Sequence, residues 1–527
     1  MKPDAVSLEI FRNLFSSIAD EMGVSLGRTA FSPNIKERKD YSCAIFDEEG
    51  RLIAQAEHIP VHLGAMPASV KAAIDSFDSF DSGDLIILND PYMGGTHLPD
   101  ITLVSPVILK EANGRHRMAG FVASRAHHAD VGGMSPGSMP NSKEIYQEGF
   151  IIPPIKLAKK GVYNKEVLTL FYRNVRTSEE RVGDLQAQIA CNDLGIKRFQ
   201  SLFEDYGVLE VKEHIDALID YGEQMIRATL KRIPRGSFSF SDEMESSQAE
   251  ESGKTIKVTV QSDGDGSIVV DFTGTSPESR ENNYNAVYGV TVSSVLYCIR
   301  CLAGPRVPAN HGAFNPIDII APEGTLVNPN PPSAVAAGNV ETSQRIVDVI
   351  LGALAEALPD FIPAASQGTM NNTTIGGWDT LRGKPFAYYE TVGGGVGAGP
   401  WGEGTSAIQT HMTNTLNTPV EALEYQFPFR VLEYAIRRGS GGSGKYYGGD
   451  GIVRSIELLE RATVSLLTQR REKGPAGLKK GGSGLPGQNI LLRANTKKIL
   501  NSNEMIEALP GDIITLETPG GGGWGIR

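Results

Sequence analysis

The chain has 527 residues, more than one hydrophobic core usually serves, so we expect two to four domains or one large unit with many insertions. Its 50 lysines and arginines stand against 62 aspartates and glutamates, giving a formal net charge of −12. A surface of this sign repels phosphate groups, which argues against nucleic acid and anionic membranes as partners. The expected partners are small molecules and other proteins.

Residues 3–23 predict an amphipathic helix rather than a secretory signal peptide. Apolar side chains recur four residues apart, at Ile10, Leu14, Ile18 and Met22, with charged residues between them. No run approaches the ~20 apolar residues that a membrane-spanning helix needs. Four cysteines in so long a chain do not make a disulfide framework, which is typical of a reducing compartment. We therefore expect a cytoplasmic protein with no membrane partner.

The first part of the chain alternates helix signals with strand-like runs. These runs are mostly bounded by Gly, Asn, Asp or Pro, which is typical of a sheet with functional loops at its strand ends. They lie at residues 43–46, 84–90, 100–109 and 118–124. From residue 178 to about residue 233 the periodicity becomes helical, which predicts a helical pair or bundle.

After Pro234 the sequence changes to short strands. Residues 255–274 predict a hairpin that turns between Asp263 and Gly266, and residues 343–359 predict a further helix. The last third is dense in glycine, but aromatic residues are interspersed among the glycines. Because disordered segments are poor in aromatic residues, we expect ordered loops in which backbones approach closely.

These patterns predict an α+β or mixed α/β fold, with mixed sheets built from several chain segments, helical insertions and glycine-rich loops. We expect three regions. Residues 1–177 form a mixed α/β region that carries a candidate metal site, and residues 178–235 form a helical region. Residues 236–527 form a β-rich region with the helix near 343–359 and the glycine-rich loops.

Three short motifs suggest chemistry but have simpler interpretations. Residues 439–446, GSGGSGKY, nearly match a phosphate-binding loop, but Tyr446 replaces the magnesium-binding hydroxyl and no helix follows. Residues 269–276 are similar to one phosphate loop of actin-like ATPases, without a second loop. Cys298 and Cys301 form a C-x-x-C in an apolar helix, without a second pair for zinc. We interpret these as a glycine-rich turn, a strand ending in a turn, and core packing.

The stretch NDPYMGGTHLPD, residues 89–100, places a histidine and an aspartate on an irregular backbone. A double glycine forces a turn after a buried strand, and Pro99 removes a donor and keeps Leu98 out of helical conformation. In such a kinked loop, His97 and Asp100 converge on one point, whereas a straight strand would direct them to opposite faces.

A second stretch, SRAHHADVGG at residues 124–133, ends the strand-like run before it with two histidines and an aspartate. If the strands at 100–109 and 118–124 pair as antiparallel neighbours, His97 and Asp100 meet His127 or His128. Mixed imidazole and carboxylate ligands suit zinc, manganese or ferrous iron. The alternatives are that these groups satisfy loop backbones, or bind a substrate without a metal.

A further histidine pair, His58 and His62, has the spacing of a helical metal site. Pro60 lies between the two residues and removes the helical geometry that this spacing needs. We therefore do not include this pair among the predicted ligands.

The chain carries several long motifs in a fixed order: NDPYMGGTHLPDITLVSPV, ASRAHHADVGGMSPGSMP, EGFIIPPIKL, NPNPPSAVAAGNVETSQR and TPGGGGWG. Together they resemble the hydantoinase B/oxoprolinase family, the B-type subunits of ATP-dependent cyclic-amide hydrolases and of acetone- and acetophenone-type carboxylases. The resemblance extends over essentially the whole chain. It implies a division of labour, in which an A-type partner carries an actin-like ATP site and the B-type subunit carries a divalent metal.

Residue by residue, the resemblance places the metal ligands at His97, Asp100 and His127, with the choice between His127 and His128 open. Asp40 of KERKDYSCAIFD is the implied fourth ligand. The implied reaction is opening of a cyclic amide, such as 5-oxoproline, a hydantoin or a lactam, by metal-activated water after the A-type partner phosphorylates the substrate. Asp130 or His128 is expected to orient or deprotonate that water.

Two other functions fit the same sequence. One is a subunit of an ATP-dependent ketone carboxylase, and the other is a non-catalytic subunit whose glycine-rich loops form an interface. The substrate is not determined by the motifs. Plausible polar groups of the substrate pocket are Asn371, Asn372, Glu390 and His411.

Overall fold

Across the residues that the computed structural model describes, 3–56, 59–111, 114–245 and 253–527, the chain forms twenty β-strands in four sheets and nine α-helices. This is the mixed α/β fold that the sequence predicts. The strands of the first sheet are β1 (Tyr41–Phe46), β2 (Leu52–Ala56), β3 (Leu85–Leu88), β4 (Asp100–Lys110), β5 (His116–His127), β6 (Ile155–Lys159) and β7 (Val162–Tyr163). They pair antiparallel in the order β2-β1-β5-β4-β3-β6-β7.

Helices cover both faces of this sheet, which is why its central strands β1, β4 and β5 are buried along most of their length. The helices of this part of the chain are α1 (Ala5–Thr29), α2 (Pro33–Lys36), α3 (Ala65–Asp75), α4 (Lys165–Asn174), α5 (Ser178–Tyr206) and α6 (Val208–Leu230). Successive side chains of β1 point to opposite faces. Cys43 and Ile45 pack with α1 and α5, and Ala44 and Phe46 pack with α3.

The N-terminal amphipathic helix is present as α1, and Asp4 caps it by accepting hydrogen bonds from the N–H groups of Val6 and Ser7. Its buried stripe includes Ile18 and Met22 of the predicted series, but Phe11 and Phe15 take the places of Ile10 and Leu14, because the larger phenylalanines turn toward α5 and α6. Ile10 is exposed. The predicted helical pair is also confirmed, as α5 and α6.

The second sheet consists of β8 (Gly236–Met244), β9 (Lys254–Ser262), β10 (Ile268–Asp271) and β11 (Ile317–Ile320), in the order β11-β10-β9-β8. The predicted hairpin is confirmed by the antiparallel pairing of Ser262 with Ile268. Helices α7 (Tyr288–Ala303) and α8 (Ser343–Ala357) pack against each other, and a π-helical turn at Gly338–Thr342 leads into α8.

The third sheet has the order β13-β12-β16-β19, and the fourth has the order β14-β15-β20-β17-β18. The strands and the helix of this part are β12 (Asn372–Asp379), β13 (Lys384–Glu390), α9 (Val420–Gln426), β14 (Phe429–Arg437), β15 (Gly451–Leu458), β16 (Ala462–Leu467), β17 (Gln488–Arg493), β18 (Thr496–Leu500), β19 (Asn503–Ala508) and β20 (Ile513–Glu517).

The glycine-rich segments of the last third are ordered and pack backbone against backbone. The N–H of Gly449 donates to the carbonyl of Val396 at 2.9 Å, and the N–H of Gly521 donates to the carbonyl of Gly449 at 2.8 Å. A Cβ added at Gly448 would lie 2.0 Å from the carbonyl oxygen of Gly521. Only glycine permits this approach, so the prediction of ordered close-approach loops is confirmed.

The glycine loop at 439–446 joins this glycine packing, and Tyr446 pairs with Trp524 through backbone hydrogen bonds. Cys298 is buried in α7, as predicted. Cys301 is exposed, so core packing was the wrong interpretation for the second cysteine, which lies one turn further along α7.

The largest apolar cluster includes side chains from all three predicted regions, among them Leu98, Leu185 and Ile346. The division at residues 177 and 235 therefore stays a prediction about chain segments. Among the described residues, no helix combines the length and the apolar character that crossing a bilayer requires.

Candidate metal centre

The loop between β3 and β4 is held firmly in the position that brings its histidine to the sheet. Asn89 donates to the carbonyl of Leu98 at 2.7 Å and accepts from the N–H of Ile152 at 2.6 Å. Gly94, at φ 90°, ends a short 3-10 turn at Pro91–Met93. The polypeptide then enters β4 at Asp100, which lies directly opposite His127, the last residue of β5.

Three donor atoms from these strand ends form a compact triangle. Asp100 Oδ1 lies 3.2 Å from His97 Nε2 and 3.2 Å from His127 Nδ1, and the two nitrogens are 3.2 Å apart. All three side chains are at most 3% exposed. The structure therefore brings together three of the four ligands that the family resemblance implies.

The triangle fits a bound cation better than it fits hydrogen bonds alone. A neutral imidazole carries one N–H, so if both rings donate to Asp100 Oδ1, their two N–H groups face each other at 3.2 Å. A cation between the three atoms removes this conflict. Donors about 3.2–3.4 Å apart are also what tetrahedral coordination gives with bonds of about 2.0 Å.

Asp40 precedes β1 and lines the same small cavity, which has a volume of about 20 Å³ and so holds about one water-sized species. Burial raises the pKa of the Asp40 carboxyl, although the nearby His127 and Arg38 act in the opposite direction. Its backbone carbonyl accepts the N–H of His127 at 3.0 Å. Asp40 is thus close to the cluster.

His62 is the neighbour that the sequence reasoning missed. Its Nε2 lies 3.4 Å from Asp100 Oδ2, and its Nδ1 contacts Ser42 Oγ at 2.9 Å. Pro60 does prevent an α-helix here, as expected, but it begins a 3-10 turn, Pro60–His62, which directs the imidazole into the site. His58, the other member of that pair, lies outside the described residues.

The second oxygen of Asp100 is therefore fixed separately from the first. Thr96 Oγ1 donates to Asp100 Oδ2 at 2.6 Å, and His62 approaches the same oxygen. Burial raises the pKa of Asp100, but the surrounding imidazoles of His97, His127 and His62 outweigh burial and hold it well below its usual range. The carboxylate is thus ionised and oriented.

An aromatic ring from the third sheet covers the site. The ring of Tyr389 stacks on His127 with centroids 4.6 Å apart, and the guanidinium of Arg38 lies 4.6 Å from the centre of the Tyr389 ring. The hydroxyl of Tyr389 donates to Asn372 Oδ1 at 2.8 Å. This contact joins the candidate metal cluster to β12 and β13.

The two residues expected to handle the water point elsewhere. His128 Nε2 contacts Gln188 Oε1 of α5 at 2.8 Å, and burial lowers the pKa of His128 to about 4. The carboxylate of Asp130 accepts hydrogen bonds from the N–H groups of Gly132 and Gly137 and forms an ion pair with Arg176 at 3.1 Å. The side chain of His128 thus contacts α5, and that of Asp130 holds the loop that follows β5. The geometry therefore gives no support to a catalytic role for either residue.

The polar groups expected in the substrate pocket differ in their surroundings. Glu390 accepts two hydrogen bonds from the guanidinium of Arg454, at 2.9 and 3.0 Å, within the core. Asn371 is bonded to Gln367 and to the carbonyl of Val392. His411 is the member that lines a large cavity.

A buried set of two imidazoles and a carboxylate at adjacent strand ends, with space for one small species, defines the class of protein. It is a mixed α/β protein with a candidate divalent-metal centre.

The chain belongs to the hydantoinase B/oxoprolinase family, whose model matches residues 4–527. It is 44% identical to an uncharacterised protein of Methanocaldococcus jannaschii, over 99% of this chain and 91% of the other. It is 40% identical to 5-oxoprolinase 1 of Arabidopsis thaliana over 99% of this chain, but spans only 42% of that protein. A protein of Pseudomonas sp. that is named as the B-type subunit of a D-/L-hydantoinase is 30% identical, over 99% of this chain and 90% of the other.

Solved structures share the fold. The ATP-dependent caprolactamase of Pseudomonas jessenii superimposes with a TM-score of 0.91 at 26% identity, over 100% of this chain and 92% of the other. An acetone carboxylase superimposes with a TM-score of 0.90 at 19% identity, over 98% of this chain and 76% of the other, and this likeness shows the fold alone.

Proposed function

We propose that this chain is the metal-bearing B component of an ATP-dependent hydrolase that opens a cyclic amide, such as 5-oxoproline, a hydantoin or a lactam. The observation that carries the proposal is the 3.2 Å triangle of His97, Asp100 and His127 in a buried cavity. The relatives named for oxoprolinase, hydantoinase and caprolactamase activity support the reaction class.

The ATP-dependent step is assigned to a partner. The chain spans 42% of the Arabidopsis 5-oxoprolinase, and a relative of nearly matching length is named as the B-type subunit of a hydantoinase. We therefore propose an A-type, actin-like partner that phosphorylates the ring amide oxygen with ATP. Water then adds to the activated carbon, the C–N bond breaks with a proton passing to nitrogen, and a second water releases inorganic phosphate from the acyl phosphate.

Residues of this chain form the site at which water would add to the activated carbon. His97, Asp100 and His127, with Asp40, would hold a zinc, manganese or ferrous ion, and that ion would supply Lewis acidity and acidify a coordinated water. Thr96 and His62 orient the carboxylate of Asp100, and Tyr389 fixes the plane of the His127 ring. Burial of the whole cluster excludes bulk water.

The test is co-expression with an A-type subunit, followed by assays of ATP hydrolysis with a panel of cyclic amides and ketones. We expect the variants His97→Ala and Asp100→Ala to lose both bound metal and ring opening while the complex still assembles and binds ATP. His116→Ala is the matched control, because His116 is exposed at the other end of β5.

Full ring opening by Asp100→Ala after chelation would overturn the proposal. Bicarbonate-dependent consumption of acetone would instead assign the chain to the carboxylase branch. A purified wild-type chain that assembles with its partner but never holds a stoichiometric metal would indicate the non-catalytic interface role.

A further inference from the structure

A large apolar cavity lies beside the metal centre. Its volume is about 480 Å³, within the roughly 300–1,000 Å³ range of small-molecule sites. Its apolar wall includes Leu302, Leu351, Phe361, Ile362 and Trp401. Thr413 lines both this cavity and the small cavity of the metal cluster, and Pro60 faces the large one while its neighbours Ile59 and Val61 face the small one. The two spaces are therefore adjacent.

One strained segment supplies several of the polar groups in the cavity wall. Ala407 and His411 have φ values of 60° and 57°, a left-handed conformation that residues other than glycine rarely adopt. Strain of this kind is retained where the surrounding structure requires it, often at ligand sites. The residues between them face the cavity.

Three consecutive residues of this segment each carry a buried polar atom without a hydrogen-bond partner in the described part of the chain. The atoms are Gln409 Oε1, Thr410 Oγ1 and His411 Nε2. Thr410 is 7% exposed and the side chain of His411 is 8% exposed. His411 Nε2 faces Asp348 Oδ1 at 3.7 Å, but the other two atoms are costly to leave unsatisfied, and a ligand with a polar edge would satisfy them.

The cavity wall carries no formal charge. Among its described lining residues none is Lys, Arg, Asp or Glu. The guanidinium of Arg232 stacks on Phe361, 4.1 Å from the ring centre, and donates to the carbonyl of Leu302. Behind His411, the carboxylate of Asp348 is paired with Arg470 at 2.7 Å. A carboxylate buried in the cavity would lose hydration without meeting a cationic side chain in the cavity wall.

We propose that this cavity holds the body of the substrate ring, and that it selects cyclic amides with an uncharged ring body over those that bear a carboxylate. The polar groups of Gln409 and Thr410 bind the amide edge of the ring, which faces the wall shared with the metal cluster. This inference rests on the proposed function and narrows it from cyclic amides in general to neutral lactams and alkyl-substituted rings.

The test uses two substrates that share one ring. 2-Pyrrolidinone and 5-oxoproline differ only by a carboxylate, so the ratio of their kcat/KM values in ATP-dependent ring opening measures this discrimination. Ile408→Arg places a cation at the cavity, where Ile408 is 43% exposed, and Ile499→Arg is the control, because Ile499 is 56% exposed on β18.

We expect Ile408→Arg to shift the ratio toward 5-oxoproline by about tenfold, the size of one charge-assisted contact. Ile499→Arg should leave the ratio at the wild-type value. Because both variants use the same partner, any selectivity of the partner cancels. A ratio that is the same in Ile408→Arg and the wild type would overturn the inference.

A binding measurement separates this inference from the proposed function. Trp401 lines the cavity, so titration of the chain with 2-pyrrolidinone, without ATP, should change its fluorescence, and Trp401→Phe should abolish the change. 5-Oxoproline should need a higher concentration for the same effect. No change with 2-pyrrolidinone, or equal response to both rings, overturns the inference. Selective binding without ATP-dependent ring opening overturns the proposed function and leaves the ligand class standing.

Discussion

Asp100 performs two tasks with its two oxygens. Oδ1 completes the triangle with His97 and His127, whereas Oδ2 receives the hydroxyl of Thr96 at 2.6 Å and faces His62. A carboxylate fixed through one oxygen presents the other in a defined direction, which is how neighbours of a ligand raise metal affinity. Thr96 therefore contributes to the site without being a ligand.

Replacing Thr96 with valine should weaken metal binding and leave the fold intact. The valine side chain is nearly the same size but lacks the hydroxyl, so Asp100 Oδ2 loses its donor. We expect the metal affinity to fall by about 10–100-fold, measured by competition with a chelator of known affinity. Thr169→Val is the control, because that hydroxyl bonds only within exposed helix α4. Equal affinities in the two variants would show that Thr96 does not orient the ligand.

The sequence predicts those residues of the site whose positions are determined by the local backbone. His97, Asp100 and His127 lie at the ends of two neighbouring strands, so motif and pairing suffice to place them together. His62 enters through a 3-10 turn, and Tyr389 comes from a different sheet. Neither position can be recognised from a local sequence pattern, because tertiary packing brings both side chains to the site.

At the scale of elements, the long antiparallel pair β4 and β5 determines the geometry of the cluster. Its register places Asp100 opposite His127, and a shift by one residue would direct one of them to the other face. The strand and helix assignments agree with the sequence because their apolar periodicity is strong. The buried stripe of α1 was less predictable, because whether Ile10 or Phe11 is buried depends on which side chains of α5 and α6 pack against the helix.

The glycine packing makes a sharper prediction about an element. In Gly448→Ala the new Cβ would lie 2.0 Å from the carbonyl oxygen of Gly521, so the two segments must separate and lose their backbone hydrogen bonds. We expect a loss of more than about 3 kcal/mol in the free energy of unfolding, measured with urea. Gly402→Ala is the control, since its Cβ meets nothing within 4 Å, and should change stability by less than about 0.5 kcal/mol. Similar midpoints for the two variants would contradict close packing of these loops.

At the scale of the whole molecule, the candidate metal centre lies where the first and third sheets meet. His97, Asp100 and His127 belong to the first sheet and its loops, and Tyr389 reaches them from β13. Arg38 extends the connection, because it donates to the carbonyl of Tyr389 at 2.9 Å and to the hydroxyl of Thr391 at 3.1 Å. A cation that holds the triangle together therefore also stabilises the contact between the two sheets.

Removal of metal should consequently lower the stability of the entire chain. A ligand that binds only the folded state adds about 2.7 kcal/mol when its free concentration is 100 times its Kd. We expect the thermal unfolding midpoint of the metal-loaded chain to fall on chelation and to recover on adding Zn²⁺ or Mn²⁺. His97→Ala should unfold at one temperature with or without chelator, whereas His116→Ala should respond like the wild type, since His116 is exposed and distant from the triangle along β5. A midpoint in the wild-type chain that chelation does not change would mean that the triangle binds no cation tightly enough to couple it to folding.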